Sequence, residues 1–212
     1  GYRRISFIEI MQLSDDGSGV IGKKIKLKSD CLGISGGWTP MVHLFTQSGG
    51  KLKFRSDDNV FLPDKDKTPS DQISIGSCNG DFDIQDIVLN CNKEVKTFLG
   101  IENSYFDNLK IESSKEGTKR NIWLLPSDKP IGKTKPFVDY QNDATAKDIK
   151  LALREGFRSI EHVKRYTTTG MGTDQGKLGN MHALGIIADT AGVKMGELGT
   201  TTFRPPYTPV SY

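Results

Sequence analysis

The sequence predicts an α/β unit with an added β-meander, followed by a small all-helical unit. Three observations predict it. The first part of the chain alternates short apolar runs with polar turns. A single apolar stripe at helical spacing then runs from Ile84 to Leu99. Beyond the Pro-, Gly- and Lys-rich stretch within "NIWLLPSDKPIGKTKPF", the pattern changes to short, capped helical segments. That stretch marks the boundary, so we expect units at 1–134 and 135–197, with 198–212 as a linker.

The elements follow in order. "RRISFIEIMQL" places Ile5, Phe7, Ile8 and Ile10 near strand spacing, "SDDGSG" is a turn, and "KKIKLKSD" alternates strictly. Together they read as a hairpin or meander. "CLGIS" running into "GGW" has the pattern of a buried strand that ends at a tight turn. Pro40 is placed to start a helix, with Met41, Val42, Leu44 and Phe45 behind it. "KLKFRSDDNVFLPDKDKT" is strand, polar turn, strand. Ile73–Ile75 reads as a short strand ending at Gly76. After "SCNGD", a helix carries Ile84, Ile87, Val88, Cys91, Val95, Phe98 and Leu99 on its apolar stripe. Asp81 and Asp83 are both candidate caps, and Gly100 ends the helix. Residues 101–120 read as a polar loop, and "NIWLL" as one short strand. In the second unit, Thr145 and Asp148 form a capping box before the stripe Ile149, Ala152 and Leu153, which Gly156 breaks. Ser159 is placed to cap a helix with Ile160 and Val163. A last helix presents Met181, Leu184 and Ala188 on one face. The Thr/Pro-rich end cannot be regular helix.

Composition narrows the function. Of 212 residues, 35% are apolar and 26% charged, with a net charge of +3. That is an ordinary polar globular composition, not a disordered tail. The charge is too mild to argue for nucleic acid. The basic residues Lys147, Lys150, Arg154, Arg158, Lys164 and Arg165 are interrupted by Asp148, Glu155 and Glu161, as on a solvated helix surface. No apolar run approaches the roughly 18 residues of a membrane span, and "GYRRISFIEIMQL" lacks the form of a secretory leader. Cys31, Cys78 and Cys91 share no metal-ligand spacing and read as reduced thiols of a cytoplasmic protein. The three histidines are far apart in sequence, so no metal site is expected. No pattern for nucleophilic catalysis occurs, and no catalytic residue is assigned.

Two glycine-rich stretches carry the candidate binding residues. "SIGSCNGDFDIQ" joins a short apolar run to a helix start, where free N–H groups suit a pyrophosphate or ribose. It reads equally as a plain strand-to-helix turn. "RYTTTGMGTDQGK" is rich in donors, with Arg165, three threonines, Gln175, Lys177 and glycine amides. It reads as an anion cradle or as a loop that caps two helices. It is not a phosphate-binding Walker loop, because Leu178 follows Lys177.

Over roughly residues 136–209, "FVDYQNDATAKDIKLALREGFRSIEHVKRYTTTGMGTDQGKLGNMHALGIIADTAG" and "GTTTFRPPYTP" resemble the alpha subunit of heterotetrameric sarcosine oxidase. "CLGISGGWTPMVHLFTQSGGKL" and "SIGSCNG" are similar to that subunit's nucleotide-binding module. The resemblance implies an FAD/NAD(P)-binding, disulfide-reductase-like fold for the first unit. It places Gly36, Gly37, Gly76, Ser77, Asn79 and Gly80 at an NAD site. It implies a beta subunit with FAD, an FMN at the alpha–beta interface, gamma and delta subunits, and tetrahydrofolate on a further, aminomethyltransferase-like domain. The chain would then be a middle segment of that subunit. The second unit resembles small helical domains that hold a [2Fe–2S] cluster. Their four cysteine positions align with Asp139, Gln141, Asp174 and Gly179, so the scaffold is expected without the cluster, which needs thiolates. The resemblance also places Arg165, Thr168, Thr169, Gln175 and Lys177 toward the FMN phosphate or the beta subunit.

Overall fold

The computed structural model describes residues 4–69, 72–103, 106, 109, 111 and 121–203. Among these, helices mix with three two-stranded antiparallel ribbons. Strands β1 (Phe7–Leu13) and β2 (Val20–Lys28) form the first ribbon around the Asp/Gly turn. Ile8 lies opposite Leu27, and Ile10 opposite Ile25. Cross-strand partners share a face, so one face of the ribbon is apolar. The other carries Glu9, Lys24 and Lys26, with Lys26 Nζ 3.6 Å from the Phe7 ring centroid. Helix α1 (His43–Gln47) follows. The second ribbon then pairs β3 (Leu52–Arg55) with β4 (Val60–Pro63). Its turn is closed by Arg55, whose Nε donates to Asp58 Oδ1 at 2.8 Å.

Helix α2 (Ile84–Leu99) starts where Asp83 Oδ1 accepts the Gln85 amide at 2.8 Å, and ends at Gly100 in the left-handed region. Asp83 is therefore the cap, rather than Asp81. The expected apolar stripe is present, but no residue of α2 is buried.

The core lies in the second half. Helix α3 (Ala146–Arg154) packs against both α4 (Ile160–Thr167) and α5 (Asn180–Ala191), and α6 (Met195–Leu198) rests on α5 and β3. The capping box of α3 is formed: Asp148 Oδ2 accepts from the Thr145 amide at 2.8 Å and its hydroxyl at 2.7 Å. Ile149, Val163, Leu184 and Ile187 are the largest fully buried side chains. Each contributes on the order of 1.5–3 kcal/mol by burial. In α5, every residue from Ala183 to Ala188 is buried, so the helix is enclosed on all sides rather than amphipathic. The enclosure reaches outside the helical group. Phe61 of β4 belongs to the same buried cluster, and Trp123 packs against it. A Cβ at Gly185 would collide with the Trp123 indole, so glycine here admits the ring against the helix backbone.

Several expected elements differ. "CLGIS" forms no strand: residues 29–42 make no ladder, and Ile34 and Trp38 are 81% and 90% exposed. Apolar side chains yield a strand only where a neighbour pairs with the backbone, and no described strand lies alongside. The same holds for Ile73–Ile75 and for "NIWLL", which are irregular. Helix α1 begins three residues after Pro40. Ser159 has N-cap geometry, but its side chain makes no capping bond. Most of residues 101–120, and 204–212, lie outside the described residues. No helix among the described residues is long and apolar enough to cross a membrane.

The burial contrast gives a test. Ile187→Ala should lower unfolding stability by about 2–5 kcal/mol in urea titration. Ile34→Ala should change it by no more than about 0.5 kcal/mol. Equal effects would show that the core lies elsewhere.

Candidate functional site

The candidate site is built where a short ribbon meets the glycine-rich loop. Strand β5 (Phe137–Asp139) pairs with β6 (Ala144–Thr145), and the turn between them throws residues 140–143 toward the loop that follows α4. Asp139 is buried there. Its Oδ1 accepts the amides of Gln141 (2.8 Å) and Asn142 (3.0 Å). Its Oδ2 accepts the Gly170 amide at 2.7 Å and the Asn142 side-chain amide at 3.2 Å. Four donors thus converge on one carboxylate. Burial raises its pKa, but the amides of Gly170, Asn142 and Gln141 outweigh burial and hold it below the ordinary carboxylate value.

The loop is shaped to reach this carboxylate. Thr168 ends α4 with φ 59°, and its carbonyl accepts from Asn142 Nδ2 at 3.1 Å. Gly170 has φ 71°, and a Cβ there would collide with the Asn180 side chain. Only glycine delivers its amide to Asp139 from that backbone conformation without strain. Asn180, the first residue of α5, donates to Thr201 Oγ1 at 2.8 Å and ties the helix start to the chain beyond α6.

The four aligned positions come together. Gln141 Oε1 accepts from the Thr173 hydroxyl at 3.1 Å and the Asp174 amide at 3.4 Å. Asp174 Oδ1 accepts the Gly176 amide at 3.2 Å. Gly179 lies against the Val138 carbonyl. The side chains of Asp139, Gln141 and Asp174 thus hold the loop.

The candidate donors are largely engaged within the loop. Gln175 Nε2 donates to the Gly172 carbonyl at 3.1 Å. The Thr168 hydroxyl donates to the Thr167 carbonyl at 2.6 Å. The buried Thr169 shares a 2.7 Å hydroxyl contact with Thr167. Arg165 pairs with Glu161 of its own helix at 3.4 Å, an exposed pair of the kind worth little. Lys177 approaches α1. Burial, and then the Lys177 charge, hold the His43 pKa below its ordinary value, and the Phe203 ring meets His43 edge-on at 5.6 Å.

The other glycine set lies apart. Gly76–Asn79 is a 3-10 turn before α2, closed by Gly80 N donating to the Ser77 carbonyl at 3.1 Å. Gly80 has φ 87°, and its carbonyl accepts from Arg55 at 2.9 Å. Gly36 and Gly37 have nothing within 4 Å of a Cβ position, so neither is packed on that turn.

Sequence reading missed the roles of Asp139, Asn142 and Asn180 as the loop's internal partners. A signal was present: "DYQN", an Asp with an Asn three residues later, placed to receive the following amides.

Residues 133–212 match the model of the sarcosine oxidase A3 domain. The chain is 38% identical over 200 residues to the sarcosine oxidase subunit alpha of Rhizobium meliloti (strain 1021). That alignment covers 90% of this chain and 19% of the relative. It is 33% identical over 215 residues to the subunit alpha of Corynebacterium sp. (strain P-1), covering 98% and 22%. The chain is a relative of the sarcosine oxidase alpha subunits. It spans about a fifth of their length. In fold it is similar to L-proline dehydrogenase from P. horikoshii, with a TM-score of 0.65 at 20% identity over 96% of this chain and 43% of that one.

Asp139→Asn should cost about 1–3 kcal/mol at neutral pH, because an amide nitrogen would face donors in place of an acceptor. The folded pKa of Asp139 is depressed. Its contribution is therefore present above the unfolded carboxylate value of about 3.9 and lost as pH falls through the folded one. Urea titrations should show the stability gap between the wild type and the Asp139→Asn variant full at pH 7 and shrinking in strong acid. A gap that widened in acid would refute the assignment.

Proposed function

We propose that the chain is the middle segment of the alpha subunit of a flavin-dependent sarcosine oxidase. The complex converts sarcosine to glycine with hydrogen peroxide and methylene-tetrahydrofolate. This segment contributes to NAD binding and to the FMN-bearing contact with a beta subunit. The observation that carries the reading is the sustained identity to alpha subunits across both halves of the chain. FAD in the beta subunit, tetrahydrofolate on a further domain, and gamma and delta subunits complete the cytoplasmic assembly.

The loop fits an FMN phosphate through its cations. Thr168, Thr169 and Gln175 spend their donors on the loop itself, so they hold its shape. Arg165 and Lys177 supply positive charge at its two ends, where a phosphate is favoured. When bound, FMN supplies electron transfer, and this chain's residues bind and orient it. At the NAD side Gly76 and Gly80 are buried in their own turn. Ser77 and Asn79 therefore offer the polar side chains there, with Gly36 and Gly37 on the exposed segment. No residue of this chain is assigned a chemical step in amine oxidation, because the flavins carry that chemistry.

A second reading has its own support. The loop's donors satisfy one another, as expected of a rigid interaction module that holds a partner without touching the cofactor. One experiment separates the two. Arg165→Ala with Lys177→Ala in the assembled complex should lower FMN per complex by about tenfold while the beta subunit is retained. Loss of the beta subunit from the complex would favour the module. Normal FMN content with normal assembly would refute the FMN assignment.

A further inference from the structure

We propose that the cleft between the β1–β2 turn and the 121–136 segment binds a small organic anion with a flat apolar ring. The cleft encloses about 730 Å³, within the range of small-molecule sites. It lies outside the loop and glycine sets described above, and it shares no residue with them.

Its walls are held from several sides. Trp123 is seated on Gly185 of α5, with its ring 6.1 Å from His182 and edge-on to it. Ile122 lies 3.9 Å from the Cβ position of Gly17 in the β1–β2 turn. Lys24 of β2 meets Asp128 at 2.8 Å and ties the ribbon to the segment. Pro126 and Pro136 restrict the backbone of the same wall. Such a cleft is formed before a ligand arrives, which lowers the cost of binding.

The lining divides into an apolar wall and a cationic rim. Ile122, Trp123, Leu124 and Ile131 supply the apolar surface a ring requires. Lys129, Lys135 and Lys150 come from two separate parts of the chain. All three are exposed, and none makes an ion pair with a carboxylate among the described residues. Two acids also line the cleft. Asp16 has its oxygens turned to its own turn and stays ionised: the Ser14 and Ser18 hydroxyls donate to it at 2.6 and 2.7 Å, and the Ser18 amide at 3.0 Å. Asp189 lies on the exposed end of α5. Three lysines against these two carboxylates leave the lining with a net charge of +1, which favours an anion, and the wall favours one with a ring. A carboxylate or a phosphate would serve as the anionic group.

Calorimetry on the assembled complex tests this with two probes, 2-naphthoate and adenosine monophosphate. At least one should bind with a Kd below about 1 mM. Adenosine monophosphate alone would identify phosphate as the preferred group; 2-naphthoate alone would identify carboxylate. Lys135→Glu with Lys150→Glu should weaken binding about tenfold or more. Lys135→Gln with Lys150→Gln should give a smaller loss and keep the melting temperature of the wild type. Absence of heat with both probes would overturn the proposal. So would unchanged binding in both double variants, or inorganic phosphate binding as tightly as the ringed probes. These variants leave Arg165 and Lys177 intact, so failure here is separate from failure of the FMN assignment.

Discussion

The second half of this protein depends on one buried carboxylate. Asp139 receives four donors, three of them from the turn that follows it and one from a loop thirty-one residues away. A buried charge is costly unless it is hydrogen-bonded from several sides. The loop answers that cost, and in doing so its own path is set. Gly170 must be glycine to reach the carboxylate, Thr168 must leave α4 in the left-handed region, and Asn142 bridges the two. The donor-rich loop that reads in sequence as an anion cradle gives the Gly170 amide to the protein's own anion and spends the Thr168 and Gln175 donors on its own carbonyls.

Burial is unevenly shared. Helices α3, α4 and α5 hold the fully buried side chains, while α2 buries none and the β1–β2 ribbon leaves Ile10, Ile25 and Leu27 about half exposed. Stability should therefore be concentrated in the helical half, with the first half opening at lower free energy. The halves are not independent. Phe61 and Trp123 reach the helical core from before the Pro-rich stretch, and α6 returns to β3.

The loop and the first half differ in the same way: the loop satisfies its own donors, while the first half leaves apolar side chains exposed. Lys177 brings the loop's charge near α1, where it adds to burial in lowering the His43 pKa. The cleft walled by Trp123 lies at the junction of the halves, where three separate stretches of chain converge.

The sequence by itself determined the local features whose signals span only a few residues. The Asp/Gly turn of the first hairpin, the β3–β4 ribbon, the Gly100 end of α2, and the Thr145–Asp148 capping box are all legible, because each rests on short-range hydrogen bonds and steric limits. The helical spacing of Ile149, Ala152 and Leu153 likewise marked the face of α3 that is buried. Only the tertiary structure decided which apolar runs became strands. "CLGIS" and "NIWLL" have strand-like residues, but a strand exists only when another backbone lies beside it. Tertiary structure also decided that α5 is enclosed on all sides, since Trp123 seats on Gly185 from across the chain. It decided the site in the same way. Sequence shows many donors between Arg165 and Lys177, but not which acceptors they meet, because Asp139 and Gln141 are brought to them by folding over some thirty residues.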